Sequence, residues 1–482
     1  MMRLLQQWLN PPVIMRPPVH DELDHALLTF GNESLTLRAC CEGIFITGAT
    51  GSGKTSGSGA ALAKSFLRNG FGGIVTCCKP DEAEVWRRYA RETGRERDLI
   101  FFGPRHPHRF NYLSFAAHLT PNDISPTENL TQLLGTVIEV ANRGQATTSQ
   151  DPYWSRAALQ LLRNSTDLVL LARGVTGLTL HEIYQAIITA PTDAEQLQSR
   201  EWQRSSRCMQ LLDEAHRRRQ PIAAAHDLSM TSNFWLKEFP NLSPRTRGCV
   251  ISMVTTGIEP LLRGSAHELT NTTTTVTPLA THQGKIIVLD MPAKTYHSAG
   301  ILIQLIIKQL WQQATEGRRI HRNSLPTFCF SDEAQTFVSR NDSNFLMTAR
   351  SSRACVVLLT QNLPNFRAAL GKAETSALIG NLVTRIHHQN VCSETNAWAS
   401  ESISKCWRLR TSSGTSHTDD SEGHERLSHS SNLSDSHELR VPPEAFLHLR
   451  RGGPGHDRCV DAIISRPWST GRGFLRATFR QS

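Results

Sequence analysis

The stretch Gly48-Ala49-Thr50-Gly51-Ser52-Gly53-Lys54-Thr55 decides the fold. Four free positions between Gly48 and Gly53, then a Lys and a Thr, form the phosphate-loop pattern. The glycines let backbone N–H groups across Ala49, Thr50, Gly51 and Ser52 curl around phosphate oxygens. Lys54 supplies a cation to the terminal phosphates, and the Thr55 hydroxyl is placed to ligate Mg²⁺. The flanks agree with this reading. Gly43-Ile44-Phe45-Ile46-Thr47 reads as a buried strand, and Ala60 to Leu67 as a helix closed by Gly70, with its N-terminus toward the phosphates. The expected ligands are ATP and Mg²⁺.

Turnover needs a second element that holds metal and activates water. Thr327-Phe328-Cys329-Phe330-Ser331-Asp332-Glu333 supplies it: an apolar strand ending in two carboxylates puts Asp332 beside the metal and Glu333 where it polarises water. The alternative is an Asp-Glu pair that only complements a helix dipole. Ala354 to Thr360 is another buried-strand pattern, and Gln361 follows it at the same edge, either sensing the γ-phosphate or capping the Asn362-Leu363-Pro364 turn. Arg350 and, less so, Arg353 are candidates for an arginine finger offered to a neighbouring subunit, or else simply solvated.

The order of the Gly48-to-Thr55 loop, a long insertion, Ser331-Asp332-Glu333-Ala334-Gln335, then Arg350 and Gln361, resembles the TraD/TraG family of type IV secretion coupling proteins. That family sits within the HerA/FtsK group of ring-forming DNA-pumping ATPases. Thr76-Cys77-Cys78-Lys79-Pro80-Asp81, where the family has a second strand followed by a Lys and acidic residues, and Gly380 to Ile386, a late core strand, match in kind. The resemblance spans about residues 43 to 466. It implies a RecA-like α/β fold, a P-loop NTPase with a mostly parallel sheet and an inserted all-helical domain. The implied activity is ATP hydrolysis coupled to delivery of DNA or a DNA-protein complex to a conjugative secretion channel, with a relaxase or other secretion components as partners. A HerA/FtsK-like DNA-processing or packaging motor and a nucleotide-gated module with little hydrolysis are the alternatives.

Coupling proteins usually begin with transmembrane helices. Here 47 residues precede Gly48, and none of them forms an apolar stretch near the ~20 residues a bilayer requires. Residues 1–10 are short and amphipathic. Ile301 to Trp311, interrupted by Gln304 and Lys308, reads as a buried amphipathic helix. The expectation is a cytoplasmic protein recruited to the inner membrane only through partners. Net charge is +9, and 43 of the 52 basic residues are Arg. The planar guanidinium suits a phosphate backbone, so DNA bound without base specificity is the expected partner, and small clusters such as Arg217-Arg218-Arg219, Arg318-Arg319 and Arg450-Arg451 would line the pore of a homo-oligomeric ring. A mildly basic solvated surface is the alternative. The eleven cysteines show no zinc spacing, and Cys77, Cys329 and Cys355 fall in core strands, so reduced thiols are expected.

The expected organisation is an N-terminal lead-in at 1–42, the first part of a nucleotide-binding domain at 43–117, an inserted helical domain at 118–240, and the second part of the nucleotide-binding domain at 241–482. The Ser- and His-rich residues near 411–438, including His417, His424, His429 and His437, read as a flexible loop. Lys54, Asp332 and Gln361 should converge at the carboxyl edge of the parallel sheet.

Overall fold

The computed structural model describes residues 23–120, 125–143, 152–419, 425–468, 471 and 473–481. The amphipathic segment read over residues 1–10 and His424 lie outside them. The described residues open with a hairpin, β1 (Ala26–Phe30) and β2 (Glu33–Thr36), that the lead-in reading missed. Next come β3 (Ile44–Thr47), α1 (Ala60–Arg68), β4 (Gly72–Thr76), α2 (Glu82–Glu92) and β5 (Leu99–Phe102). Among the described residues no strand lies between Phe102 and Ile286; helices from Tyr112 to Thr270 fill the interval. The sheet then resumes with β6 (Ile286–Leu289), α3 (Ala293–Glu316), β7 (Thr327–Ser331), β8 (Ala354–Thr360) and β9 (Thr384–His387).

After these, β10 (Lys405–Asp419) and β11 (Glu425–Leu439) pair only with each other, and β12 (Cys459–Ser465) and β13 (Phe474–Arg480) return to the main sheet. Its nine strands run in the order β13-β12-β9-β3-β8-β7-β4-β6-β5. From β9 to β5 every pairing is parallel, whereas β12 runs antiparallel to both β9 and β13. The fold is therefore α/β with a mostly parallel sheet, as expected. Strands covered on both faces read as unbroken apolar runs, which is why β3, β7 and β8 were legible. Ile44 and Ile46 face one core with α1 and α2; Phe45, between them, faces a second core continuous with the helical block.

Two expectations change. Within 411–438 the described residues, 411–419 and 425–438, are not a loop: they belong to two strands that form a fifteen-pair antiparallel ladder from Lys405↔Leu439 to Asp419↔Glu425. Serine, threonine and histidine satisfy each other's backbones across that ladder without an apolar core, so low hydrophobicity excluded burial but not strand pairing. From Leu302 to Trp311 the α3 helix is buried all round rather than amphipathic. Gln304 accepts from the Cys77 N–H at 2.6 Å and donates to the Cys77 carbonyl at 3.0 Å, while Lys308 donates to Asp342 at 2.6 Å. Both polar residues are thus paired inside the core. No helix among the described residues is long and apolar enough to cross a membrane.

Candidate nucleotide site

β3 delivers the chain to the loop at the carboxyl edge of the sheet. Gly51 and Gly53 take positive φ values of 74° and 83°, and at Gly53 an added Cβ would meet Val460 of β12 at 2.6 Å. That position needs glycine for both conformation and space. Ser52 N–H closes on the Ala49 carbonyl at 3.0 Å, and Ala49 N–H on that of Gln389 at 2.9 Å. Residues Thr55–Gly59 then form a π-helical turn before α1, a widened turn of the kind concentrated at functional sites. The sequence reading began the helix without that turn.

Lys54 is nearly buried, and its Nζ lies 3.7 Å from Glu333 Oε1. The Thr55 hydroxyl donates to Asp332 Oδ2 at 2.7 Å. Glu333 sits in the left-handed region at φ 49°, a strained conformation for a non-glycine residue. Its carboxylate is gripped from two sides: Gln335 donates to Oε2 at 3.0 Å and Gln361 to Oε1 at 3.1 Å. The Thr360 hydroxyl in turn donates to Gln335, and the Asn390 amide to the Gln361 carbonyl. Burial pushes the Glu333 carboxyl up, but Gln335, Lys54, Gln361 and Lys79 together hold it below the usual carboxylate value.

Three residues beside this core were not assigned roles from sequence. Lys79 reaches within 3.8 Å of Asp332 and 3.7 Å of Glu333. Gln335 entered only as part of a motif. His388 follows β9, and its Nδ1 lies 3.1 Å from the Asp461 carbonyl, which can only accept; Nδ1 is therefore the donor and Nε2 accepts from the Ser58 hydroxyl at 2.7 Å. Burial, with the Lys54 charge adding to it, lowers the His388 pKa to about 4. The one available signal for His388 was its position just past the carboxyl end of a strand.

Lys54, Thr55, Asp332, Glu333 and Gln361 thus come together; Arg350 does not. It precedes β8 whereas Gln361 follows it, so the strand's seven residues, about 23 Å at 3.3 Å each, separate the two. Arg350 instead lies 3.4 Å from Glu42, half-exposed at the opposite edge. Two of the arginines read as pore lining are structural: Arg318 donates to the Ser352 and Leu325 carbonyls, and Arg450 to Asp461.

The residues present fit a Mg²⁺-nucleotide. The hydroxyl and carboxylate of Thr55 and Asp332 are hard oxygen donors, Ser52 Oγ is buried without a partner among the described residues, and a Cβ at Gly51 would meet open space. A cavity of about 230 Å³ adjoins them, lined by Thr55, Thr76, Lys79, Glu82, Trp86 and Asp332.

Residues 326–450, which carry Asp332, Glu333, Gln335 and Gln361, match the family model described as the TraM recognition site of TraD and TraG. Over this segment the chain is similar to that region of TraD and TraG. No curated protein matches it. Among solved structures, it is similar to the bacterial conjugative coupling protein TrwBΔN70 in a trigonal form with sulphate (TM-score 0.59, 14% identity, 92% of this chain and 88% of that one). TrwB in complex with ADP and Mg²⁺ gives a TM-score of 0.58 at 13% identity, covering 92% and 86% of the two chains. TrwB with the non-hydrolysable GTP analogue GDPNP gives 0.56 at 14% identity, over 94% and 90%. At such identities the likeness establishes the fold alone: a mostly parallel α/β sheet with a helical block, shared with TrwB.

Proposed function

We propose that the chain is a Mg²⁺-dependent ATPase that works as a homo-oligomeric ring and couples hydrolysis to delivery of DNA, or a DNA-protein complex, to a conjugative secretion channel. The observation that carries this reading is the grip on Glu333. A carboxylate held by two glutamines beside Lys54, at the mouth of a phosphate loop, is arranged to accept a proton from water rather than merely to cap a turn. Lys54 and the loop N–H groups bind and orient the phosphates. Thr55 and Asp332 hold the metal, which when bound neutralises charge developing on the phosphoryl oxygens. Gln361 links the γ-phosphate position to Glu333 on one side and, through its carbonyl and Asn390, to the loop after β9 on the other. Arg350 reaches a nucleotide only if that nucleotide belongs to a neighbouring copy.

The arginine-rich composition supports a DNA backbone as partner, without base readout. The match to a TraM recognition region supports secretion or relaxosome partners, through which a cytoplasmic chain would be brought to the inner membrane. In this reading residues 43–117 and 241–482 make the motor and the helical insertion at 118–240 handles the cargo.

The test is steady-state ATPase activity with and without single- and double-stranded DNA at two salt concentrations, beside Lys54→Ala and Glu333→Gln. DNA stimulation that weakens with salt and vanishes in both variants is expected. Tight ATP binding with no turnover under any DNA condition would overturn the motor and favour the nucleotide-gated module.

A further inference from the structure

One buried carboxylate at the nucleotide edge has no part in the reaction above. Glu82 opens α2 and is 8% exposed. Its Oε2 accepts from the Cys78 backbone N–H at 2.6 Å, which fixes the side chain across the turn after β4. Its Oε1 is buried with no hydrogen-bond partner of good geometry among the described residues, although the Lys79 backbone N–H also acts on the carboxylate. The same side chain lines the cavity of about 230 Å³ shared by Thr55, Lys79 and Asp332. Burial, then the Asp332 charge, push the Glu82 carboxyl up to about 8. Without added positive charge beside it the Glu82 carboxyl keeps its proton; a cation brought into the cavity favours its loss and frees Oε1 to accept, since an unmatched buried carboxylate oxygen is otherwise costly to keep. In this structure the Lys79 ammonium, 3.8 Å from Asp332, supplies the positive charge on that wall.

We infer that Glu82 is a positioning residue for the metal: its Oε1 takes a hydrogen bond from the hydration shell of a Mg²⁺ held by Thr55 and Asp332, and so fixes the ion's orientation in the cavity. Mg²⁺ gives up its waters reluctantly and binds through one or two carboxylates while keeping several of them. Among the described residues no three His, Cys, Asp or Glu side chains are grouped to hold an ion by themselves, so Glu82 acts through water and not on the metal. The inference rests on the Mg²⁺-nucleotide reading above.

The test uses the full chain with no hydrolysis involved. Affinity for a fluorescent ADP is measured with Mg²⁺ and in EDTA, and Mn²⁺ binding to the ADP complex is followed by EPR, for the unaltered chain, Glu82→Gln and Asp332→Asn. Glu82→Gln keeps an oxygen for the Cys78 N–H, and a melting curve confirms that it folds. It should weaken Mn²⁺ binding about tenfold, the usual scale for groups that act through a ligand, and leave ADP affinity in EDTA within about twofold; Asp332→Asn should weaken Mn²⁺ more. Unchanged Mn²⁺ binding in Glu82→Gln, or equal loss of ADP affinity with and without metal, overturns the inference. Equal ADP affinity of the unaltered chain in Mg²⁺ and EDTA overturns the underlying metal reading instead.

Discussion

Residues 48–59 and 405–439 are both rich in small and hydroxyl side chains, yet they meet opposite fates. In the first, Ser52 and Ser58 are fully buried, Gly57 abuts Val460 and Phe479, and Ser56 accepts from Gln481 at 2.8 Å. In the second, a ribbon hydrogen-bonds along its length to itself and stays exposed. Trp407, stacked on His437 at 4.9 Å, is 72% exposed, and Leu409 and Leu433 share its face. Small residues tolerate close approach but do not cause it. What buries the phosphate loop is its neighbours: the apolar strands β3 and β8 on one side and the β12–β13 hairpin on the other. A two-stranded ribbon with no third layer gains little of this kind.

The sharpest break in that contrast should come from Glu333→Gln, which leaves the two glutamines without a charged partner. Hydrolysis is expected to fall about 10²–10⁴-fold, the usual worth of a general base, in a single-turnover assay where ADP affinity hardly changes. Lys54→Ala acts on binding instead, weakening nucleotide affinity about 100-fold, near 3 kcal/mol for one charge-assisted contact; calorimetric titration separates it from the first variant.

Acid should also act on the buried side. His388 is held neutral by burial, at about 4 against an ordinary 6.5, so below 6.5 the unfolded chain binds the extra proton and stability is lost as pH falls toward 4. At pH 5 this amounts to about 2 kcal/mol. His387 and His282, each near 3, act in the same sense, while Glu82, raised to about 8, opposes them because the folded state binds its proton more tightly. Comparing the pH slope of denaturant unfolding in the unaltered chain and His388→Gln isolates the one term: the variant should lose about 1.6 kcal/mol less between pH 6.5 and 5. Smallest of all, replacing residues 406–438 with a short turn between Lys405 and Leu439 should leave ADP affinity within about twofold, since an exposed ribbon shares no core with the site. A larger loss would show that the ribbon supports the sheet after all.

The parallel strands and the loop were legible because burial on both faces writes unbroken apolar runs, and because phosphate binding fixes residue types at fixed spacing. Asp332 and Gln361 were legible as residues just past such runs. Lys79, Glu82, Gln335 and His388 were not, because their places beside the loop depend on strand order: β4 lies beside β7 and β9 beside β3, and nothing in one sequence reports that adjacency. The β13 strand escaped because its alternation of exposed and buried residues, Arg476 out and Ala477 in, is the pattern of a sheet edge and resembles ordinary amphipathic surface. Gln304 and Lys308 misled in the other direction, since a polar side chain fully paired in a core looks on paper like one facing water.

The hydrogen bond from Gln481 to Ser56 spans 425 positions, and that from Thr55 to Asp332 spans 277. Contacts so distant in sequence form slowly, because long loops must close before any contact rewards them. On the ribosome the phosphate loop is made some 425 residues before Gln481 of its second wall arrives. Closure of the loop's rear wall is therefore a late event in the protein's own assembly, and a translation product stopped before β12 would carry an intact loop motif with no rear support.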